Sequence, residues 1–364
     1  MKSQGYSLPS YPVLEDMWDK LKEETRPIIV YGMGNGADKL FDRLNKYGVT
    51  PADIFASDGF VRGQVFHGMR VKSFSEIKEA YSDFVILLSF ASTREEVLDF
   101  IVALDKDYDL YIPDMPVAGE EYFDREFYNN HYEEIVKAYG SLCDEVSKRT
   151  FASVISYKLT GKLSYLLECV LDRDGIYSLL GKDIRVMVDC GAYNGDTARE
   201  GIKYFPNLSK IYAIEPDEKT FKRLLKFTKI VETPEILPIN AAAWSNEGVS
   251  EFQSGGNRNS SVNSTSSYEN KTKEVRLISV DSLGAMADYI KYDVEGAELE
   301  ALIGSDKTIR EHMPNLLVSV YHRSADIFSL VNYLKAKYPL YKLYMRRLAC
   351  VPAWELNLIL IKDA

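Results

Sequence analysis

The chain reads as α/β: two Rossmann-like units joined by a helical segment, the second built on a sheet of seven mostly parallel strands. Three observations predict this. Short apolar runs alternate with helical spacing across residues 27–117, and again from 184 to the end. Between them, Glu120 to about Leu180 is rich in Glu, Lys, Tyr and Leu at helical spacing and has no strand signal. In each unit the first apolar run ends in a glycine turn that opens a helix. The expected divisions are 1–118, 119–180 and 181–364.

In the first unit, Pro27–Tyr31 is a buried strand and the turn Gly32-Met33-Gly34-Asn35-Gly36 leads into a helix through about Tyr47. Gly48 suits the position after that helix, where a left-handed residue is needed. Strands follow at Asp53–Asp58, Asp83–Leu88 and Leu110–Ile112, with a helix over Arg94–Leu104. The second unit has strand signals at Ile184–Asp189, Ile211–Glu215, Ile236–Asn240, Tyr289–Asp293 and Leu316–Tyr321. Two later strands are expected near Tyr341–Met345 and Leu356–Ile361. Val249–Phe252 and Val275–Ser279 are suited to pair across an insertion. Its centre, Ser254–Asn270, reads either as a disordered surface loop or as a flap over a pocket.

At 364 residues the chain exceeds one ordinary core, and its 46% hydrophobic content suffices for two. The net charge of -10 is spread out, which argues against a nucleic-acid partner. Arg346-Arg347 is expected as solvated surface or a rim contact. Four cysteines lie far apart with no metal-ligand spacing, as in reduced thiols of a cytoplasmic protein. No signal peptide is evident, and no apolar run approaches the ~18 residues of a membrane span. The expectation is a soluble cytoplasmic protein with a small-molecule partner, no nucleic-acid or membrane partner and no metal. A homodimer is left open.

The most informative stretch is Val186–Thr197. An apolar strand ends in Asp189, then come Gly191 and Gly195, then a helix start. Such a turn offers a charged small molecule bare backbone at a strand's carboxyl end. Asp189 is placed to hold an ammonium, and Thr197 to bond a carboxylate. The next strand ends in Glu215-Pro216-Asp217, where an acid can accept from both hydroxyls of a ribose. After the third strand, Asn240-Ala241-Ala242 leaves room for a flat base that Asn240 can bond. Ala192, Tyr193 and Asn194 complete the turn. The set indicates an adenosyl cofactor, and the glycine spacing favours S-adenosylmethionine over a dinucleotide. The fourth strand delivers Asp293, Glu295 and Glu298 as a dense acidic patch.

These segments resemble the FkbM-type family of S-adenosylmethionine-dependent methyltransferases. The resemblance rests on Asp189–Thr197, Ile214–Asp217, Asn240–Ser245, Val280–Leu283 and Lys291–Leu302, in that order, across roughly residues 150 to 350. The Asp293–Glu298 segment is its specific part. It implies a class I methyltransferase fold and O-methylation, often of hydroxyls on sugars, glycans or other natural products. Tyr292 departs from the pattern, where an aliphatic residue is expected, and is read as a change in the pocket wall.

Methyl transfer to oxygen needs alignment and a proton acceptor. The candidates are Asp293, which could instead hold hydroxyls, and His322, a base near neutrality at its ordinary pKa of ~6.5. Glu295 is read as orienting the substrate or pairing with Arg323. In the first unit, Gly32, Gly34 and Ala37 with Asp58 fit a loosened dinucleotide fingerprint. That unit resembles small nucleotide-binding domains of sugar-modifying enzymes. The competing reading is an NAD(P)-dependent oxidoreductase or sugar-nucleotide-binding protein driven from there.

Overall fold

The computed structural model describes residue 8 and residues 14–253, 261–262 and 272–362. Most of the Ser254–Asn270 segment, read as loop or flap, lies outside the described residues.

The first sheet has four strands: β1 (Ile28–Tyr31), β2 (Asp53–Phe55), β3 (Val85–Leu88) and β4 (Asp109–Tyr111). They lie in the order β2-β1-β3-β4 and all pair in parallel. Every residue of β1 and β3 is buried, as expected for strands covered on both faces. The crossover helix Asn35–Lys46 buries Ala37, Leu40 and Leu44, its one apolar stripe. Gly48 stands just past its end at φ +70°. The second strand is shorter than its apolar run, because Asp58 begins a 3₁₀ turn over Asp58–Phe60.

The second sheet contains β5 (Val186–Cys190), β6 (Lys210–Ile214), β7 (Glu235–Ile239), β8 (Tyr289–Tyr292), β9 (Asn315–Ser319), β10 (Tyr341–Arg347) and β11 (Leu356–Lys362). Their order is β10-β11-β9-β8-β5-β6-β7. Only β11 runs antiparallel, forming a hairpin with β10 and inserting beside β9. The order reverses between β5 and β8, which opens a crevice at their carboxyl ends. The insertion pairs as its pattern suggests: Gly248–Gln253 runs antiparallel to Thr272–Ile278, with Val249 opposite Arg276.

Helices fill residues 125–180. Glu145–Thr160 is buried on nearly all sides, including Ser147, Ser153 and Ser156, because it lies under β10. A continuous apolar core runs from Tyr31 and Phe55 through Phe127, Phe151 and Tyr157 to Val188, Val318 and Leu358. The three segments are distinct in topology and continuous in packing.

Two surface readings are corrected here. Arg346 and Arg347 are buried, not solvated. The Arg346 guanidinium donates to Asp144 and Ser147, and that of Arg347 to the carbonyls of Leu166 and Cys350. Tyr292 does not shape a pocket wall; strand alternation turns it into the core. Among the described residues, no helix is long and apolar enough to cross a membrane.

Candidate active site

The carboxyl ends of β5, β6, β8 and β9, with Cys350, Trp354 and Glu355 of the β10–β11 connection, surround a cleft that opens to solvent. The glycine turn forms its floor. Gly191 sits at φ +89°, and a Cβ there would run into the Asp293 carbonyl oxygen. Its N–H and that of Ala192 both donate to Ile214 O, at 3.0 and 2.9 Å. Asp293 N donates to Cys190 O at 3.0 Å. These bonds bring the ends of β5, β6 and β8 together. Gly195 has a different reason to be glycine. At φ +86° its missing Cβ would strike the Phe227 ring, so it packs against the helix Glu218–Thr228 and not toward a ligand.

The rest of the turn divides between the cleft and its support. Tyr193, at φ +46°, lines the cleft and donates its N–H to Glu215 Oε2 at 2.9 Å. Ala192 is fully buried beneath the turn, and Asn194 accepts from the Arg199 guanidinium. Thr197 is buried and does not line the cleft. The exposed Asp196 beside it does, and the sequence reading had passed over it as a site residue.

Glu215 follows β6 directly and lines the cleft while only 7% exposed. Each carboxylate oxygen accepts one backbone N–H, from Tyr193 and from Asp217 (2.8 Å), so each keeps further acceptor capacity. Burial pushes its carboxyl up to about 8, against the opposing pull of those two bonds. Pro216 and Asp217 border the cleft, but Asp217 mainly caps the following helix by accepting from Thr220 N. Asn240 is not aimed at a base: its Nδ2 donates to Glu215 O and Pro216 O, steadying that turn. Ala241 packs into the core, whereas Ala242 and Ala243 line the cleft.

Opposite lies a charge network that the sequence showed only in part. Asp189 is fully buried, and neither carboxylate oxygen has a hydrogen-bond partner among the described residues. Its nearest cation is Lys291 Nζ at 4.0 Å, and burial raises its carboxyl to about 7. Lys291 Nζ donates to Asp293 Oδ2 at 3.0 Å, and Tyr321 Oη to Asp293 Oδ1 at 3.3 Å. Burial disfavours the Asp293 charge, yet Lys291 and His322 outweigh it and hold the carboxyl well below its ordinary range.

His322 is not a neutral base. Its Nδ1 lies 2.8 Å from Glu298 Oε1, and its Nε2 lies 3.5 Å from Asp293 Oδ1 and 3.6 Å from Glu295 Oε2. Burial works to lower its pKa, but Glu298, Glu295 and Asp293 prevail and raise it to about 10. At neutral pH it is an imidazolium and has no free site for a proton. Glu298 also accepts from Val294 N (2.9 Å) and Gly296 N (3.4 Å), which fixes the loop in which Glu295 (φ +54°) and Gly296 (φ +95°) turn. Arg323 Nε donates to Gly296 O, while Glu295 faces His322.

These shifts fix the sign of a pH effect. Asp189, Glu215 and His322 all keep protons in the folded state that the unfolded chain releases at lower pH. Their contribution to stability is therefore lost as pH rises, through about 7–8 for the carboxyls and about 10 for the imidazolium. Asp293 has the opposite sign, but only below its ordinary 3.8. The melting temperature is expected to fall from pH 5 to pH 10, on the order of 10 °C in total, with Glu215→Gln flattening the part below pH 8. A scanning-calorimetry series in which stability rises over that range would contradict the assignment.

The first sheet has its own cleft, lined by Met33, Asn35, Lys39 and Phe90 among others. Asp58 is exposed and lies outside it. Gly32 is tight against the Phe90 ring and Ser89. None of Gly32, Gly34, Ala37 and Asp58, the residues of the dinucleotide-like fingerprint, lines this cleft.

The methyltransferase FkbM domain matches residues 189–338, which include every residue of the proposed cofactor and catalytic set. Over nearly the whole chain the structure is similar to methyltransferase FkbM from Methylobacillus flagellatus KT. The TM-score is 0.69 at 20% identity, covering 93% of this chain and 90% of that one. An rRNA methylase from Streptococcus thermophilus is similar over 52% of this chain and 93% of its own, at 12% identity and TM-score 0.34, too distant to bear on function. No curated protein matches the chain significantly. Residues 189–338 thus carry a match to the methyltransferase FkbM domain, and nearly the whole chain shares the fold of a solved FkbM methyltransferase.

Proposed function

We propose that the cleft binds S-adenosylmethionine and that the enzyme methylates a hydroxyl oxygen of a sugar, glycan or related natural product. The observation that carries this reading is Asp293: an ionised carboxylate at the cleft, anchored by Lys291 and Tyr321, directly across the Gly191 contact from the Glu215 turn.

The residues fit the cofactor. Glu215 has acceptor capacity for two ribose hydroxyls, and Ala242 and Ala243 leave space for a flat base. Asp196, exposed on the cleft, takes over the ammonium role that the sequence gave to Asp189, whose side chain lies behind Lys291. The surplus of carboxylates suits a cationic ligand. When bound, S-adenosylmethionine supplies an electrophilic methyl on a positively charged sulfur that departs as a neutral thioether.

The protein's own part is to place and deprotonate the acceptor. Asp293 accepts the hydrogen bond of the acceptor hydroxyl and so aims an oxygen lone pair. A hydroxyl oxygen that took up this methyl would become a protonated ether, far more acidic than any carboxylic acid. A carboxylate of low pKa is therefore a sufficient acceptor, and the proton passes to Asp293. His322 and Lys291 keep that carboxylate charged beforehand. Positioning supplies most of the rate, with effective molarities of ~10⁵ M or more available to such arrangements.

Calorimetry with S-adenosylhomocysteine tests the cofactor half. Glu215→Gln is expected to weaken binding about ten- to a hundredfold, since it replaces one of the two acceptor oxygens by a donor and a lost buried hydrogen bond is worth roughly 1–3 kcal/mol. Transfer of labelled methyl to a panel of glycosides, in a linkage that survives mild ester hydrolysis, tests the acceptor half. Unchanged affinity in the variant, or transfer only to carboxylates or nitrogen, refutes the respective half.

A further inference from the structure

We propose that Trp354 selects the acceptor and that the amino-terminal unit sets its place, so that the cleft takes an uncharged, hydroxyl-rich ring and rejects anionic ones. This rests on the reading that the methyl goes to a carbohydrate hydroxyl.

Trp354 is half-buried and belongs to both clefts, lining the methyl-transfer cleft and the one at the end of the first sheet. Its ring lies within 23° of the plane of Tyr321, centroids 6.3 Å apart, and Tyr321 in turn donates to Asp293. An aromatic platform thus stands beside the carboxylate that meets the reacting hydroxyl. A pyranose presents an apolar C–H face and a hydroxyl rim, which matches a platform bordered by Asp293, Glu295 and Glu355. The same three carboxylates define what is refused. Among the described residues lining the cleft, the cations Lys291 and His322 both already face carboxylates, so an added carboxylate or phosphate would meet unbalanced negative charge.

The first unit holds this wall in place. Ser92, just beyond β3, exchanges both backbone hydrogen bonds with Val351: Ser92 N to Val351 O at 2.8 Å, and Val351 N to Ser92 O at 3.0 Å. Ala118 N donates to His322 O, and just beyond it, in the joining segment, Glu121 O accepts from Ser324 Oγ. Beneath the connection, the buried Arg347 guanidinium grips Cys350 O. The connection carrying Trp354 is pinned between β10 and the first unit. A methyltransferase sheet alone would lack one of these two supports.

The test uses the full chain with S-adenosylhomocysteine bound. Only Trp18, Trp244 and Trp354 contribute to indole fluorescence. Titrations with methyl glucoside, methyl glucosaminide and methyl glucuronide should give saturable quenching by the first two and about tenfold or weaker binding of the third. In methyl-transfer assays, Trp354→Ala should raise acceptor KM about tenfold or more with a smaller change in kcat, while Trp354→Phe stays near wild type. Ser92→Pro, which removes the N–H to Val351 O, should raise acceptor KM in the same direction. Ser92→Ala, which keeps the backbone pair, should not. S-adenosylhomocysteine affinity should be unchanged in all four variants. The proposal is overturned by equal binding of the glucuronide, by an unchanged KM in Trp354→Ala, or by no saturable quench with any glycoside. Loss of S-adenosylhomocysteine binding by the wild type would instead sink the underlying cofactor reading. Selective quenching without any methyl transfer would sink the assigned reaction and leave the recognition wall standing.

Discussion

Glu298→Ala is expected to cost the folded protein about 3–5 kcal/mol and to abolish methyl transfer, because it strips the partner from a buried charge. The Glu298 and His322 side chains are 2% and 1% exposed, and their 2.8 Å contact is out of reach of screening water. Without Glu298, the imidazolium must either remain uncompensated on that side or give up the proton that Asp293 and Glu295 also favour. The backbone loses as well. Val294 N and Gly296 N would have no acceptor, and the left-handed turn at Glu295 and Gly296 would lose the bonds that hold it. Glu298→Gln separates the two effects: it keeps an oxygen for the backbone N–H groups but removes the charge. The His322 pKa should then drop from about 10 toward ~6.5, visible in nitrogen-15 spectra of the imidazole, with a smaller stability loss in urea. If the alanine variant unfolds within about 1 kcal/mol of wild type, the pair is not the clamp described here.

The fold was legible because each strand and helix carries its own pattern. Even the β10–β11 hairpin follows from apolar runs at Tyr341 and Leu356. Gly191 and Glu215 were legible for a similar reason, since a positive-φ turn and an acid at a strand's end are local requirements. What spacing could not reveal is the direction in which a residue faces once the chain has folded. Gly195 and Asn240 stand in the expected turns but serve Phe227 and the Glu215–Pro216 carbonyls. Arg346 and Arg347 look like surface because their partners, Asp144, Ser147, Leu166 and Cys350, come mostly from a distant helical segment. The charge of His322 depends on three carboxylates of another loop, so its reference pKa misled. Lys291 had a readable signal that went unused. It precedes Asp293 by two residues and so shares its face of the strand, and it lies beside Asp189 in the parallel register.

That position makes Lys291→Met the second large effect. Lys291 is the shared counter-ion of Asp293, at 3.0 Å, and of the fully buried Asp189, at 4.0 Å. Burial alone would neutralise its ammonium, but Asp293 and Asp189 outweigh burial and keep it charged across the working pH range. Methionine fills similar space without the charge. Two carboxylates are then left with less compensation, and a loss of about 3–5 kcal/mol is expected. Asp293 should move up from its depressed value, so the pH–rate profile should gain an acid limb that wild type lacks. Transfer at neutral pH should fall about 10²-fold or more as positioning and proton acceptance both weaken. A purely structural lysine would lower stability and leave the shape of the profile unchanged. Asp189→Asn combined with Lys291→Met distinguishes the cases. Neutralising the buried acid should recover much of the stability, since both members of that pair are then gone. The acid limb should persist in the double variant, because Asp293 still lacks its cation. If the double variant instead regains both stability and the wild-type profile, Asp293 does not depend on Lys291 for its charge, and the proton-accepting role assigned to it loses its electrostatic basis.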